Sequence, residues 1–192
     1  ISIEGKKYRG QAVLQANGGG ITVINALTMD QYLYGVLPSE VPASWNSQAL
    51  NAQAVCSRSY ATARLGGRHA ADGFDLCAST HCQVYSGIEK EHPATNAAVD
   101  ATSGQVLTYQ SQVVEAIFGS SNGGYIEDPA NVWGSSVPYL VSKKDEYEKT
   151  EEISSAVWQV NMTLPELTSM VKNKGVDVGD VTRLRILETA PS

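Results

Sequence analysis

The sequence predicts an α+β domain in which one long, alanine-rich helix is central. Residues 47–65 carry small side chains at helical spacing, and Ser44 or Asn46 is placed to cap the first turn. Residues 9–16 and 21–26 alternate between apolar and polar side chains on either side of three glycines, which predicts two strands and a turn. Because small side chains let neighbouring backbones approach closely, we expect the long helix to pack on antiparallel strands.

Shorter elements are predicted around this helix. Thr28 and Gln31 have the spacing of a capping box, which predicts a helix over residues 29–36. A proline-bounded loop is expected next, because Pro38 and Pro42 restrict the backbone. Three further elements are predicted downstream: a helix over residues 93–102 and a hairpin formed by residues 105–109 and 113–118.

The remaining chain predicts a strand–helix–strand segment. Residues 157–162 and 181–189 alternate like strands, and a capping box of Thr163 and Glu166 predicts a helix to residue 172 between them. A charged linker is placed at residues 145–152. We therefore predict a core over residues 1–145, with residues 146–192 as a small lobe or as part of the same domain, and we expect natural sequence to continue past Ser192.

The long helix has two rows of small residues. Ala49, Ala52, Cys56, Tyr60 and Ala63 recur at steps of three and four, which predicts that this row is the buried face. A second row of small residues contains Ala54 and Ala61.

Charge and hydropathy exclude two classes of function. The formal net charge is −6 and no long cluster of Lys and Arg occurs, so nucleic-acid binding has no electrostatic support. No run of 18 apolar residues occurs, so no membrane span is predicted. The chain begins at Ile1 without a signal peptide, and we expect it to be a trimmed mature domain.

Glu40 is the candidate acid. It stands between two prolines at the entrance to the long helix, and a rigidly held carboxylic acid is a suitable proton donor. Taken alone, the residue is more readily interpreted as an ordinary solvated surface glutamate.

Four blocks follow one another along the chain. The first is LPSEVPASWNSQALNAQAVCSRSY at residues 37–60, and DLCASTHCQVYSG, FGSSNGGY and NVWGSSVPYL follow at residues 75–87, 118–125 and 131–140. In this order and spacing they resemble the stage II sporulation protein D (SpoIID) family, which includes the amidase enhancers called LytB. The resemblance extends over residues 8–147, and the acid of the family motif falls at Glu40.

The resemblance implies an extracytoplasmic, cell-wall-associated lytic transglycosylase that cleaves peptidoglycan glycan strands, as sporulation members do. Glu40 would be the sole acid and base, giving 1,6-anhydro ends, and its pKa should be raised by partial burial. The alternative is a non-catalytic wall-binding module that stimulates an N-acetylmuramoyl-L-alanine amidase. A third interpretation is a Cys/His metal-binding structural domain with no role on glycans.

Substrate contacts are predicted in three of the blocks. Arg58 would hold a carboxylate or form a structural salt bridge, and Tyr60 would line the cleft or belong to the core. The glycine-rich loop after residue 118 would bind sugar or form a simple tight turn. The predicted substrate-binding residues are Arg58, Tyr60, His81, Gln83, Tyr85, Ser120, Ser121, Asn122, Gly123, Gly124 and Tyr125.

Cys77, His81 and Cys82 have two interpretations. The two cysteines bracket four residues, which suits a small disulfide loop in an extracellular protein, and this pairing is favoured. Zinc is the alternative, since it accepts thiolate and imidazole ligands, but His69 and His92 do not complete an evident four-ligand set. No other cofactor is predicted, and Cys56 is expected to be a buried apolar residue.

Overall fold

The α+β class is confirmed. A computed structural model describes residues 1–149 and 158–186, and these residues form five α-helices and four two-stranded antiparallel sheets. The chain divides into two compact units, Ile1–Phe118 and Gly119–Ser192, so the boundary predicted at residue 145 falls inside the second unit.

The first unit begins with two hairpins. β1 (Ser2–Ile3) pairs with β2 (Lys6–Lys7), and β3 (Gln11–Asn17) pairs with β4 (Gly20–Ala26) in an antiparallel register that joins Asn17 to Gly20. The second hairpin confirms the two predicted strands. Both residues of its turn, Gly18 and Gly19, have positive φ, so glycine is needed there.

Helix α1 (Met29–Glu40) is longer than predicted. Its capping box of Thr28 and Gln31 is confirmed. The helix then continues through Pro38, so the predicted end at Val36 and the predicted loop around Glu40 are wrong. The proline removes one N–H from the ladder, but the N–H of Val41 still donates to the carbonyl of Leu37 at 3.1 Å, which closes the last turn.

Helix α2 (Ser47–Ala63) is capped by Asn46, as predicted. Its buried face is the other row of small residues. Leu50, Ala54 and Ala61 are buried, whereas Ala52 and Ala63 of the row that was predicted to be buried are exposed. The predicted buried face of the helix is therefore wrong.

The core of the first unit is helical. Helix α3 (Pro93–Ala101) confirms the third predicted helix, and α1, α2 and α3 pack together. Helix α2 therefore packs mainly on two helices rather than on strands, which corrects the predicted layering. The core residues are Leu33, Leu37, Val41, Leu50, Ala54, Ala98 and Val99. The predicted hairpin after α3 is present but short, as β5 (Thr108–Tyr109) and β6 (Gln112–Val113).

The second unit carries less regular structure in its described part. β7 (Tyr125–Ile126) pairs with β8 (Lys143–Lys144), and α4 (Pro129–Trp133) lies between them in the chain. Helix α5 (Leu164–Asn173) begins with the predicted capping box.

Two predicted strands in this unit are wrong wherever they can be checked. Residues 158–162 and 181–186 are not strands, while residues 157 and 187–189 lie outside the described part of the chain. Among the described helices, none is both long and apolar enough to cross a membrane.

Candidate functional site

Glu40 is the last residue of α1 and is half-buried. Burial raises the pKa of its carboxyl, and a hydrogen bond from the backbone N–H of Val84 opposes that rise. The C-terminal end of a helix carries partial negative charge, and the last turn of α1 has no basic residue to offset it. The surroundings therefore favour the protonated acid, as the single-acid scheme requires.

The segment that carries Val84 packs closely along α1. Ser86 donates its N–H to the carbonyl of Gly35 at 3.3 Å, and its hydroxyl lies 3.3 Å from that of Ser39. A Cβ at Gly35 would lie 2.5 Å from the Tyr85 ring, so only glycine allows this approach. The position of the Val84 N–H is thus set by packing on the helix that ends at Glu40.

Gln83 and Tyr85 take part in this packing. Gln83 is 3% exposed, accepts from the hydroxyl of Tyr32 at 3.3 Å and donates to the carbonyl of Ser57 at 3.5 Å. Tyr85 donates its hydroxyl to Asn25 at 2.8 Å. The polar side-chain atoms of Gln83 and Tyr85 thus have protein partners, and the substrate contacts predicted for these two residues stay predictions.

Arg58 is also structural. It is 2% exposed, pairs with Asp30 at 3.1 Å and donates to the carbonyls of Val99 and Gln105 at 3.1 and 3.2 Å. It thereby connects α2 to α1 and to the end of α3. This is the salt bridge that the sequence left as the alternative, and the substrate contact of Arg58 stays a prediction.

Tyr60 is half-buried on α2. Its ring meets Phe118 edge to face at 6.4 Å, and the guanidinium of Arg64 lies 4.6 Å from its centroid. Burial raises the pKa of its hydroxyl. The residue is neither fully in the core nor free of protein contacts, and its substrate role stays a prediction.

Four side chains of the irregular segment after α2 converge. His69, Cys77, His81 and Cys82, which we call the Cys/His cluster, place their ligand atoms within 4.8 Å of one another. The Nδ1 atom of His81 lies 3.6 Å from the Cys77 sulfur and 3.9 Å from the Cys82 sulfur. Two thiols and two imidazoles are the donor set of a structural zinc site.

The cluster passes three tests for a zinc ion. Tetrahedral zinc with bonds of about 2.3 Å to sulfur and about 2.1 Å to nitrogen separates those two atoms by about 3.6 Å, close to the spacing at His81. His69 Nε2 is buried without a hydrogen-bond partner, while Nδ1 lies 2.8 Å from Asp72, which orients the ring. The Cys77 thiol has a pKa lowered to about 5: burial opposes the shift, and hydrogen bonds involving Ser79, His81 and Cys82 outweigh it.

One contact would change on metal binding. The Nη1 atom of Arg68 lies 3.1 Å from Nε2 of His81. A metal on Nδ1 leaves the ring proton on Nε2, so the guanidinium would have to turn away from that nitrogen.

The structure corrects three sequence expectations about the cysteines and histidines. Cys77 and Cys82 are free thiols, so the favoured disulfide is not formed. His69 completes the four-ligand set that the sequence did not reveal, because a histidine eight residues before Cys77 is brought back by the turn at residues 70–73. Cys56 is half-buried rather than buried.

The glycine-rich loop lies in the second unit. Residues 120–124, which we call the donor loop, form no regular structure, and Gly123 and Gly124 have positive φ. The backbone N–H groups of Asn122 and Gly123 both donate to the carboxylate of Glu148. Tyr125 begins β7 directly after the loop. Substrate contacts at Ser120, Ser121, Asn122, Gly123, Gly124 and Tyr125 stay predictions.

Comparison with known proteins places the first unit in a family. Residues 17–109 match the family described as Stage II sporulation protein (SpoIID). The chain belongs to the SpoIID family. The matched region contains Glu40, Val84 and the whole Cys/His cluster, whereas the donor loop lies beyond it.

Two relatives show how the similarity is distributed. The chain is 40% identical over 147 residues to the amidase enhancer of Bacillus subtilis (strain 168), covering 76% of this chain and 20% of that protein. It is 30% identical over 140 residues to stage II sporulation protein D of the same organism, covering 66% of this chain and 41% of that protein. The chain thus spans well under half the length of these relatives.

Proposed function

We propose that this chain is the lytic transglycosylase domain of an extracytoplasmic cell-wall protein and that it cleaves peptidoglycan glycan strands. The observation that carries the proposal is Glu40: a half-buried carboxyl at a helix end, with a raised pKa and one N–H donor from Val84. Membership of the SpoIID family supports the choice of substrate.

In this mechanism one carboxyl acts first as the general acid and then as the general base. Protonated Glu40 donates its proton to the glycosidic oxygen between N-acetylmuramic acid and N-acetylglucosamine as the C1–O bond breaks. The carboxylate then accepts the proton of the C6 hydroxyl of the same N-acetylmuramic acid, whose oxygen bonds to C1. The product carries a 1,6-anhydro ring, no water is consumed, and Glu40 is protonated again.

The surroundings of Glu40 suit this single-acid scheme. A hydrolase of the usual kind holds two carboxyl groups at a set separation around the bond. In the described chain, burial and the Val84 N–H are what shift the pKa of Glu40, and no second carboxylate contributes. The Val84 hydrogen bond favours the anion, so it would stabilise the carboxylate formed after the first proton transfer.

The decisive experiment is mass spectrometry of peptide-free glycan strands after incubation with the native chain and with Glu40→Gln. We expect anhydro-ended fragments from the native chain and a rate reduced by about 10³-fold in the variant. Glu89→Gln is the matched control, because Glu89 is an exposed carboxylate of the same unit. Fragments with reducing ends would instead indicate a hydrolase and contradict the scheme.

A second function has its own supporting observation. The relative named amidase enhancer shares 40% identity with this chain, so a non-catalytic module that binds the wall and stimulates an N-acetylmuramoyl-L-alanine amidase is the alternative. Glycan binding without cleavage by the native chain, together with a faster amidase reaction in its presence, would favour this function over ours.

We also propose that zinc binds the Cys/His cluster. A closed set of four protein ligands indicates a structural ion, which would stabilise the chain around it without touching substrate. Cys82 directly precedes Gln83 and Val84, so the ion would anchor the segment whose N–H reaches Glu40.

A further inference from the structure

The donor loop and Glu148 form an arrangement that the proposed cleavage chemistry does not use. Three neutral donors of the loop converge on one carboxylate: the hydroxyl of Ser121 and the N–H of Gly123 donate to Oε1, and the N–H of Asn122 donates to Oε2. Both oxygens are therefore engaged, as in sites built for a carboxylate. Hydrogen bonds led by that of Ser121 lower the pKa of Glu148, so the group is an anion near neutral pH.

The donor loop holds its shape through contacts that do not involve Glu148. The Asn122 side chain donates to Asp145 at 2.9 Å and accepts from the N–H of Gly124 at 2.8 Å. The N–H of Asp145 donates to the carbonyl of Gly124 at 3.0 Å. Because these bonds fix the turn, the Asn122 and Gly123 N–H groups would stay aligned if Glu148 left.

Glu148 itself is replaceable. It lies 25 residues after Gly123, outside any helix or strand, and it is partly exposed. An exposed carboxylate held by neutral donors is stabilised only modestly against water, so a ligand carboxylate can compete for the same N–H groups. A Cβ at Gly123 would meet no atom of the described residues within 4 Å, so the space on that side of the loop is open.

We infer that the donor loop is a carboxylate-binding site in which Glu148 occupies the place of a ligand's carboxylate. The ligand class follows from the proposed function, on which this step rests: the free lactyl carboxylate of N-acetylmuramic acid. That group exists in strands without stem peptides and is absent from N-acetylglucosamine. A ligand must displace Glu148, so its apparent affinity is reduced by the fraction of time that Glu148 fills the site.

The test is a titration followed by NMR of the Asn122 and Gly123 amides in the native chain, in Glu148→Ala and in Glu146→Ala. The probes are N-acetylmuramic acid and N-acetylglucosamine, which differ by the lactyl group. We expect N-acetylmuramic acid to bind Glu148→Ala about tenfold more tightly than the native chain. This is the gain in affinity expected if Glu148 fills the site for about 90% of the time in the native chain. N-acetylglucosamine should leave both amides unshifted.

Two matched variants complete the design. Glu146→Ala removes the same charge from an exposed neighbour and should bind as the native chain does. The double variant Ser121→Ala, Glu148→Ala should show a smaller gain in affinity for N-acetylmuramic acid than Glu148→Ala alone, because one hydrogen-bond donor is lost.

Two results would overturn the inference: no gain in Glu148→Ala with a native-like spectrum, or equal amide shifts with N-acetylglucosamine. Neither depends on cleavage, so Glu40→Gln should bind normally. A chain that binds N-acetylmuramic acid but never cleaves strands would refute the proposed function and leave the carboxylate site standing.

Discussion

Glu40 and Glu148 are both carboxylates that accept backbone N–H groups, one in each unit, yet their pKa values shift in opposite directions. Glu40 is half-buried at the C-terminal end of α1 and accepts from the N–H of Val84; burial is the larger effect, so its pKa rises. Glu148 accepts from Ser121, Asn122 and Gly123 with little burial, so hydrogen bonding prevails and the pKa falls. The same side chain thus has its protonated form favoured in one region and its anionic form favoured in the other.

The two regions also differ in what supports them. The first unit, which carries Glu40, contains buried side chains that bind distant parts of the chain, such as Arg58 and Gln83. The donor loop depends on short-range bonds at the surface, such as that of Asn122 to Asp145. Substitutions should therefore disturb the first region strongly and the second region weakly.

Removal of Arg58 should have the largest effect on stability. Arg58→Met leaves Asp30 and the carbonyls of Val99 and Gln105 without their buried partner, and we expect a loss of about 3–5 kcal/mol in the free energy of unfolding. Urea denaturation followed by circular dichroism measures this. Arg183→Met, an exposed arginine of the second unit, should change stability by less than about 0.5 kcal/mol. A similar loss in both variants would contradict the contrast between the regions.

Removal of zinc should have the second-largest effect on stability. We expect one zinc ion per chain by elemental analysis, and its removal by a chelator should cost about 2.7 kcal/mol when compared with free zinc at 100 times the dissociation constant. His69→Ala should abolish binding as completely as Cys82→Ser does, whereas His92→Ala should not, since His92 lies outside the cluster. Full zinc content in His69→Ala would refute the four-ligand assignment.

Gly35→Ala should have an intermediate effect. The added Cβ meets the Tyr85 ring at 2.5 Å and the carbonyl of Gly87 at 2.9 Å, and overpacking of this kind costs about 1–3 kcal/mol. If the segment moves away, Glu40 loses the Val84 N–H and its pKa should rise further, which NMR titration of the Glu40 carboxyl would detect. Gly119→Ala, where a Cβ meets nothing within 4 Å, is the control.

The smallest effect concerns how the stability of the fold depends on pH, because Glu40 and Glu148 should contribute with opposite sign. The raised pKa of Glu40 gives stability that is complete below the unfolded value of about 4.3 and is lost as pH rises through the folded pKa. The lowered pKa of Glu148 gives stability present above about 4.3 and lost as pH falls through the folded pKa.

At a pH above the folded pKa of Glu40, Glu40→Gln should therefore melt higher than the native chain, by about 2 °C or less because the side chain is half exposed. Glu148→Gln should melt lower. Both differences should vanish in acid, and calorimetry at neutral and acidic pH measures them. Shifts of the same sign in the two variants would show that the two carboxyl environments do not differ as described.

Local signals in the sequence predicted local structure well. The capping boxes at Thr28 and Thr163, the N-cap at Asn46 and the hairpin around Gly18 and Gly19 are all confirmed. Each depends on a few adjacent residues. The end of α1 was wrongly predicted at Val36 because proline usually interrupts a helix. Here the helix continues past Pro38, since the last turn still closes beyond it.

The family, the α+β class, the candidate acid and most helix starts could be predicted from the amino-acid sequence, because motifs and caps consist of contiguous residues. Three features became visible only in the folded chain: which face of α2 is buried, that Arg58 and Gln83 are internal, and that His69 joins Cys77, His81 and Cys82. It also decided the opposite pKa shifts of Glu40 and Glu148. Burial and hydrogen-bond partners are set by residues far apart in the chain, and no local pattern records that proximity.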